Sequence, residues 1–78
     1  MEFEEVGMKF GEKIRTLREE QGFSQEELAH RTELSPLVIG AFEDGSELPK
    51  AGGTYTRLAQ ALDTSVRYLM EDDPEDRP

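Results

Sequence analysis

The chain has 78 residues, no cysteine and one histidine, and its 18 acidic residues against 9 basic ones give a net charge of −9. This length fits one domain, and the lack of cysteine excludes disulfides and thiolate metal sites. A cysteine-free chain with no signal peptide and no long apolar run is typical of a cytoplasmic protein, with no membrane partner.

The chain begins with an acidic segment and a first helix. Residues 1–8 carry three glutamates and no base, and we expect them to form a flexible acidic N-terminal extension. Helix 1 is predicted from about Lys9 to Gln21, where Gly22 ends it. One face of this helix follows the i, i+4, i+7 spacing at Phe10, Ile14, Leu17 and Gln21.

The second helix has a clear start. Ser24 is a preferred N-cap residue, and Glu27 three places on completes the pattern of a capping box. Phe23 and Leu28 flank the cap at the spacing of a hydrophobic staple. These signals predict a helix that runs from Ser24 to about Thr32.

A third helix follows after a short turn. Ser35 is a second cap, and Pro36 suits the first helical position, where its missing N–H costs nothing. Gly45 after Asp44 is a helix stop signal. Only residues 33–34 separate the two helices, and such a tight pair is a helix-turn-helix, whose second helix can enter a major groove.

The remainder predicts a loop, two helices and a tail. Residues 46–53 form the loop, and helix 4 is expected to begin near Thr54 because two glycines precede it. Its buried stripe is Tyr55, Leu58, Ala59 and Leu62. A turn at residues 63–64 leads to helix 5, which Ser65 caps and whose inward residues are Val66, Tyr68 and Leu69. Residues 71–78 are predicted to be a disordered acidic tail.

Many residues match one family in register. They are Ile14, Leu17, Arg18, Gly22, Ser24, Gln25, Leu28, Ala29, Ser35, Ile39, Glu43, Gly45, Arg57, Leu58, Ala59, Ala61, Leu62, Ser65, Val66 and Leu69. From about residue 10 to 70 the chain resembles the phage-repressor and Cro family of helix-turn-helix domains, also called xenobiotic-response-element-like (XRE). The resemblance implies an all-α fold, a compact five-helix bundle of the lambda-repressor-like DNA-binding domain type. This domain would span residues 9–70, with its motif at about 25–44.

The resemblance also implies a function. Such a protein is a sequence-specific DNA-binding transcriptional regulator, bacterial or phage-encoded, that docks helix 3 (about 35–44) in the major groove of double-stranded DNA, usually as a dimer. The DNA-binding positions that match are Gln25, Ser35, Pro36, Leu37, Gly40, Ala41, Ser46 and Lys50. Arg18 and Glu43 match a family ion pair, which we interpret as a structural strut.

The net negative charge of the chain argues against DNA binding, but most of this charge lies outside the predicted domain. The segments 1–8 and 71–78 hold 8 of the 18 acidic residues and a single base, so residues 9–70 carry a net charge of only −2. A positive rim from Lys9, Lys13, Arg31 and Lys50 would favour DNA binding, because cations that meet phosphates dominate the affinity.

Helix 3 itself leaves two hypotheses open. It has no Arg, Lys, Asn or Gln between Ser35 and Gly45, so the strong bidentate contacts to guanine and adenine are missing from this helix. Leu37 and Ala41 can contact thymine methyl groups. The alternative is a protein-interaction module on the same fold, antirepressor or antitoxin-like, whose apolar helix 3 binds a protein partner or a second copy.

Nothing in the sequence favours an enzyme. His30 is the only histidine, and no further ligands converge with it for a metal site. The carboxylate pairs are adjacent in sequence and point about 100° apart on a helix, so they do not form a general acid–base pair. We therefore expect no catalytic residue, no cofactor, no metal and no small-molecule substrate.

Overall fold

The computed structural model describes residues 9–71, and this part of the chain consists of five α-helices without a strand. The helices are α1 Phe10–Glu20, α2 Gln25–Thr32, α3 Pro36–Asp44, α4 Gly52–Ala61 and α5 Val66–Met70. The predicted all-α, five-helix fold is confirmed. The expected flexible extension (residues 1–8) and all but the first residue of the expected disordered tail lie outside the described residues.

Local hydrogen bonds explain where the helices begin and end. The hydroxyl oxygens of Ser24, Ser35 and Ser65 each accept the backbone N–H of the residue three places on, at 3.0, 3.1 and 3.0 Å. Glu33 (φ 61°) ends α2 and Gly45 (φ 85°) ends α3, both in the left-handed conformation. The turn between α2 and α3 therefore lies between two caps, the left-handed Glu33 that ends α2 and Ser35 that begins α3.

The start of α4 differs from the prediction. The helix begins at Gly52, and its N-cap is Ala51, which supplies no side-chain hydrogen bond. Thr54 was expected to be the cap, but it lies inside the first turn and donates its N–H to the carbonyl oxygen of Ala51 at 3.1 Å. The cost of about 1 kcal/mol per glycine relative to alanine applies to a helix interior, whereas Gly52 and Gly53 occupy the first two positions of α4. Burial of Leu58 later in α4 stabilises the helix.

One apolar core holds the five helices together. Its buried members are Ile14, Leu28, Ala29, Ile39, Phe42, Leu58, Ala59, Leu62 and Leu69. The ring of Phe10 packs edge-on against Phe42 (centroids 5.8 Å apart) and Tyr55 (5.4 Å), which joins α1 to α3 and α4. Because α1 and α2 both pack against the inner side of α3, the opposite side of α3 faces outward.

Candidate nucleic-acid interface

The outward side of α3 is an apolar stripe. Leu37 is 86 % exposed, Pro36 is also exposed, and Gly40 and Ala41 are half-buried. Ser35 stands at the start of the helix, where its hydroxyl oxygen accepts the N–H of Val38 and its O–H can still donate. The stripe can therefore make apolar contacts along its length, with one hydroxyl at its N-terminal end.

A groove of about 590 Å³ runs between α1 and this stripe. We call it the α1–α3 groove, and it is lined by Arg15, Arg18, Gln25, Pro36, Leu37, Gly40, Ala41, Glu43 and Asp44. It brings together five of the eight sequence-predicted DNA-binding residues, whereas Ser35, Ser46 and Lys50 lie outside it. Sequence reasoning did not single out Arg15 or Asp44. Arg15 stands three residues before Arg18, and this helical spacing would have indicated a shared face.

Arg18 and Glu43 form a buried ion pair at the floor of the α1–α3 groove. The Arg18 Nε lies 2.6 Å from Glu43 Oε2, and Nη2 lies 3.1 Å from Oε1. Both side chains are nearly buried, at 11 % and 5 % exposure. Arg18 also donates to the carbonyl oxygen of Phe23 at 2.8 Å. The hydrogen bond from Glu43 raises the pKa of Arg18 above its usual value, and the pair fixes α3 to α1 and to the start of α2.

Gln25 extends this network toward the stripe. Its Nε2 donates to Glu43 Oε1 at 3.1 Å, so one carboxylate holds both a guanidinium and an amide. The amide lies beside Gly40, and a Cβ atom on that glycine would be 3.8 Å from Gln25 Oε1 and 3.9 Å from Nε2. The side chain of Gln25 is therefore oriented before any ligand binds.

The loop after α3 carries the two remaining predicted contact residues. Ser46 donates both its backbone N–H, at 2.8 Å, and its hydroxyl to Asp44 Oδ1. These hydrogen bonds lower the pKa of Asp44, which is exposed to solvent. Ser46 must leave Asp44 before its hydroxyl can meet a phosphate, whereas the ammonium of Lys50 is exposed and forms no ion pair with residues 9–71.

The positive rim is smaller than the sequence indicated. Lys13 is 5 % exposed, and its Nζ donates to the carbonyl oxygens of Tyr68 (2.7 Å) and Glu71 (2.9 Å). Arg31 Nε lies 2.8 Å from Glu27 Oε2, so this carboxylate pairs with Arg31 and does not complete the expected capping box.

Two of the four expected cations are therefore engaged within the domain. Lys9 and Lys50 are the two that keep a free ammonium, as judged from the described part of the chain. The rim predicted from the sequence thus keeps two cations for a phosphate, and a nucleic acid bound here would depend on other contacts for most of its affinity.

The same residues offer neither a metal site nor a membrane span. Across residues 9–71, no group of three histidine or carboxylate side chains is placed to hold a metal ion. No helix among them has the length and apolar character needed to cross a membrane.

The short α2–α3 turn and the outward-facing α3 define a helix-turn-helix protein. The family model described as a helix-turn-helix domain matches residues 9–69. The chain belongs to this family, and its solved neighbours confirm the predicted phage-repressor and Cro (XRE) type. Comparison with curated protein sequences gives no match.

Three solved structures illustrate the similarity. The restriction-modification controller protein C.AhdI from Aeromonas hydrophila is 36 % identical, with 78 % of this chain and 91 % of that chain covered and a TM-score of 0.72. The P22 c2 repressor protein in complex with a synthetic operator is 28 % identical, with coverages of 83 % and 97 % and a TM-score of 0.78. SinR in complex with DNA shares the fold at 24 % identity, coverages of 80 % and 98 % and a TM-score of 0.74; another SinR structure gives its source as Bacillus subtilis.

Proposed function

We propose that this protein is a sequence-specific DNA-binding transcriptional regulator that docks α3 in the major groove. The observation that carries the proposal is the unobstructed stripe on α3, where Leu37 is 86 % exposed while Ile39 and Phe42 of the same helix are buried. Structures of the P22 c2 repressor with an operator and of SinR with DNA support this use of the fold. The family and its neighbours are DNA-binding regulators and not enzymes. A regulator of a bacterial or phage genome acts in the cytoplasm.

Base readout by α3 is apolar. Leu37 and Ala41 are placed to contact the methyl groups of thymines, which are the apolar features of the major groove. Gly40 allows close approach of the backbone, and sequence-dependent DNA shape adds specificity without hydrogen bonds. Phosphates are met by the free backbone N–H groups at the N-terminus of α2, which begins at Gln25, and by the loop residues Ser46 and Lys50. The operator should therefore be rich in thymine where α3 enters.

The protein acts as a dimer in this proposal. Two helix-turn-helix units bind half-sites about 34–36 Å apart, on one side of the duplex, when they are related by a two-fold axis. On α5, Met70 is 58 % exposed and Val66 is half-buried, so this helix offers an apolar surface to a second copy. Tyr68, a further candidate, is occupied by Lys13, whose Nζ lies 4.7 Å from its ring centroid.

One set of observations favours a second function, a protein-interaction module of the antirepressor or antitoxin-like kind. The apolar stripe on α3 has Asp44 at one end, and the expected positive rim has only two free cations among the described residues. Such a surface suits a protein partner with apolar and basic side chains. A complex of SinR with SinI shows that a protein of this fold also has protein partners.

Binding to random duplex DNA tests the two functions against each other. The full chain is incubated with a duplex pool at low salt, and bound sequences are enriched and sequenced. A two-fold, thymine-containing consensus supports the regulator, and lack of binding at the lowest salt supports the protein-interaction module.

A pair of variants then tests the docking of α3. Leu37→Glu should lower affinity for the consensus at least about tenfold, because a carboxylate would face bases and phosphates. Gln60→Glu makes the same change in charge on α4, outside the α1–α3 groove, and should bind as the wild type does. Equal affinity of Leu37→Glu and the wild type would contradict docking through α3.

A further inference from the structure

Gly40 has no structural reason to be glycine. Among the described glycines only Gly22 and Gly45 have positive φ, so the backbone at Gly40 is one that any residue adopts. A Cβ atom there would make contacts at 3.8 Å or longer, which is ordinary van der Waals distance. Glycine is also unfavourable in the middle of a helix. The residue therefore weakens α3 without a packing requirement, and Gly52 and Gly53 in α4 have no packing requirement either. Gly40 differs from those two glycines because it lines the α1–α3 groove beside the amide of Gln25.

The atoms that a side chain at this position would cover belong to Gln25. A Cβ atom on Gly40 would lie almost equally far from Gln25 Oε1 and Nε2, in van der Waals contact with both polar atoms. Gly40 leaves them uncovered within the α1–α3 groove. One Nε2 hydrogen is used by Glu43, so the amide keeps one N–H donor and one acceptor for a ligand.

Glu43 also fixes which way this amide points. A flipped amide would place Oε1 against the Glu43 carboxylate, two acceptors facing each other, so the observed orientation is the stable one. The carboxylate is itself held by Arg18 at 2.6 Å and is 5 % exposed. Donor and acceptor are thus presented in a fixed order.

We propose that Gln25 reads the major-groove edge of an adenine across Gly40, with Glu43 as the positioning residue. Adenine offers an N7 acceptor and an N6 donor, which match one N–H and Oε1 of a glutamine. Guanine offers two acceptors and would face Oε1 with its O6. The thymine paired with this adenine carries a methyl group in the same groove, where the apolar stripe of α3 contacts it. This inference rests on the proposed docking of α3 and adds its polar specificity.

A double-mutant cycle on the enriched operator tests the inference. Affinity is measured for the wild type, Gly40→Ala, Gln25→Ala and the double variant, with thermal unfolding of each. Gly40→Ala should lower affinity by about 5- to 100-fold, the value of one bidentate base contact. It should at the same time raise the unfolding midpoint by roughly 4–8 °C through helix propensity. In the Gln25→Ala background Gly40→Ala should cost nothing further, because the covered group is already gone.

Modified operators identify the partner of Gln25. Replacing one adenine by 7-deazaadenine removes N7. This should lower the operator affinity of the wild type by about the same factor as Gly40→Ala does, and should leave the affinity of Gln25→Ala unchanged. A methylphosphonate scan removes single phosphate charges instead. One result would overturn the inference: a methylphosphonate weakens binding of the wild type but not of Gln25→Ala, while no 7-deazaadenine behaves in this way. Gln25 would then contact a phosphate and not a base. Gly40→Ala with wild-type affinity, or with an equal loss in the Gln25→Ala background, also overturns the inference.

The result is separable from the proposed function. If Leu37→Glu abolishes binding but the Gln25 cycle is additive, α3 docks as proposed and the assignment of Gln25 fails. If the wild type does not bind duplex DNA, or Leu37→Glu binds normally, the proposed function fails and the assignment of Gln25 fails with it.

Discussion

A Cβ atom on Gly11 would lie 2.6 Å from the carbonyl oxygen of Glu43, so α1 and the last turn of α3 pack at a distance that only glycine permits. The carbonyl oxygen of Phe42 is also in contact with that position. Gly11 and Arg18 are seven residues apart and share a face of α1. On that face Gly11 packs against the backbone of Glu43, and Arg18 binds its carboxylate. The two contacts together set the orientation of α3.

The packing of Gly11 predicts opposite effects for one substitution at two sites. Gly11→Ala should destabilise the fold by about 1–3 kcal/mol, because the crowded neighbours are backbone atoms that cannot move aside. Gly53→Ala in α4 meets open space and should stabilise it by roughly 0.5–1 kcal/mol. Urea unfolding of both variants measures these changes. The same sign for both would contradict the close packing of α1 on α3.

The ion pair between Arg18 and Glu43 predicts a non-additive pair of substitutions. Arg18→Met alone leaves the Glu43 carboxylate nearly buried without its guanidinium, and should cost about 3–5 kcal/mol of unfolding free energy. Arg18→Met with Glu43→Leu removes both charges and should be less destabilised than the single variant. Chemical denaturation of the wild type, the two single variants Arg18→Met and Glu43→Leu, and the double variant gives the coupling energy. Additive losses would show that the two charges do not interact in the folded state.

The sequence predicted the fold well where the signals are local. Serine caps and the glycine after Asp44 placed α2, α3 and α5, because each cap bonds to a residue three places away. Lys13 could not be predicted, since its carbonyl partners are 55 and 58 residues further along the chain. The start of α4 was misplaced for a similar reason: packing outweighed the low helix propensity of Gly52 and Gly53.

The candidate site was likewise predicted in part. The apolar character of α3 follows from residue types alone, and the exposure of Leu37 agrees with it. The engagement of Ser46 by Asp44 and of Gln25 by Glu43 depends on side-chain geometry, which no spacing rule supplies.

Lys13 predicts a local effect at the C-terminal end of the domain. Its ammonium satisfies two carbonyl groups of the last turn of α5 and the residue after it. Lys13→Met keeps the apolar stem but leaves those carbonyls unpaired, and should cost roughly 1–3 kcal/mol. Relative to the wild type, amide hydrogen exchange in Lys13→Met should become faster in α5 and should change less in α2. Unchanged protection in α5 would mean that Lys13 does not hold this helix.

The small positive rim predicts a shallow salt dependence of DNA binding. A plot of log K against log salt concentration falls by about 0.9 per phosphate neutralised. With Lys9 and Lys50 free on each protomer, a dimer should show a slope of about −3 to −4. Lys50→Ala should reduce the slope by about 2 per dimer, again by this rule. Arg57→Ala is the control, because Arg57 lines a separate cleft with the C-terminal end of α2. If Arg57→Ala reduces the slope as much as Lys50→Ala does, the slope reports the total charge of the protein and not the cations of the rim.

Asp44 predicts a link between DNA affinity and acid stability. Its hydrogen bonds from Ser46 lower its pKa, so the carboxylate stays ionised at neutral pH in the α1–α3 groove and repels phosphates. Asp44→Asn removes the charge but keeps an acceptor oxygen, and should tighten DNA binding a few-fold at low salt, an effect that fades as salt rises.

The lowered pKa of Asp44 also fixes the sign of its effect on stability. In the folded state this carboxylate stays ionised to a lower pH than an ordinary aspartate does. Its contribution to stability is therefore present above the pKa of the unfolded chain and is lost as the pH falls through the lower pKa of the folded state. Asp44→Asn should flatten the loss of stability in acid, seen in unfolding midpoints measured from pH 6 down to about 2.

Asp63→Asn is the matched control for the charge of Asp44. It lies in a turn where asparagine tolerates the φ of 56°, and it removes an equal charge away from the α1–α3 groove. We expect it to change DNA affinity less than Asp44→Asn does, because its carboxylate is not one of those that line the groove. If Asp63→Asn tightens DNA binding as much as Asp44→Asn, the repulsion belongs to the net charge of the chain and not to the position of Asp44.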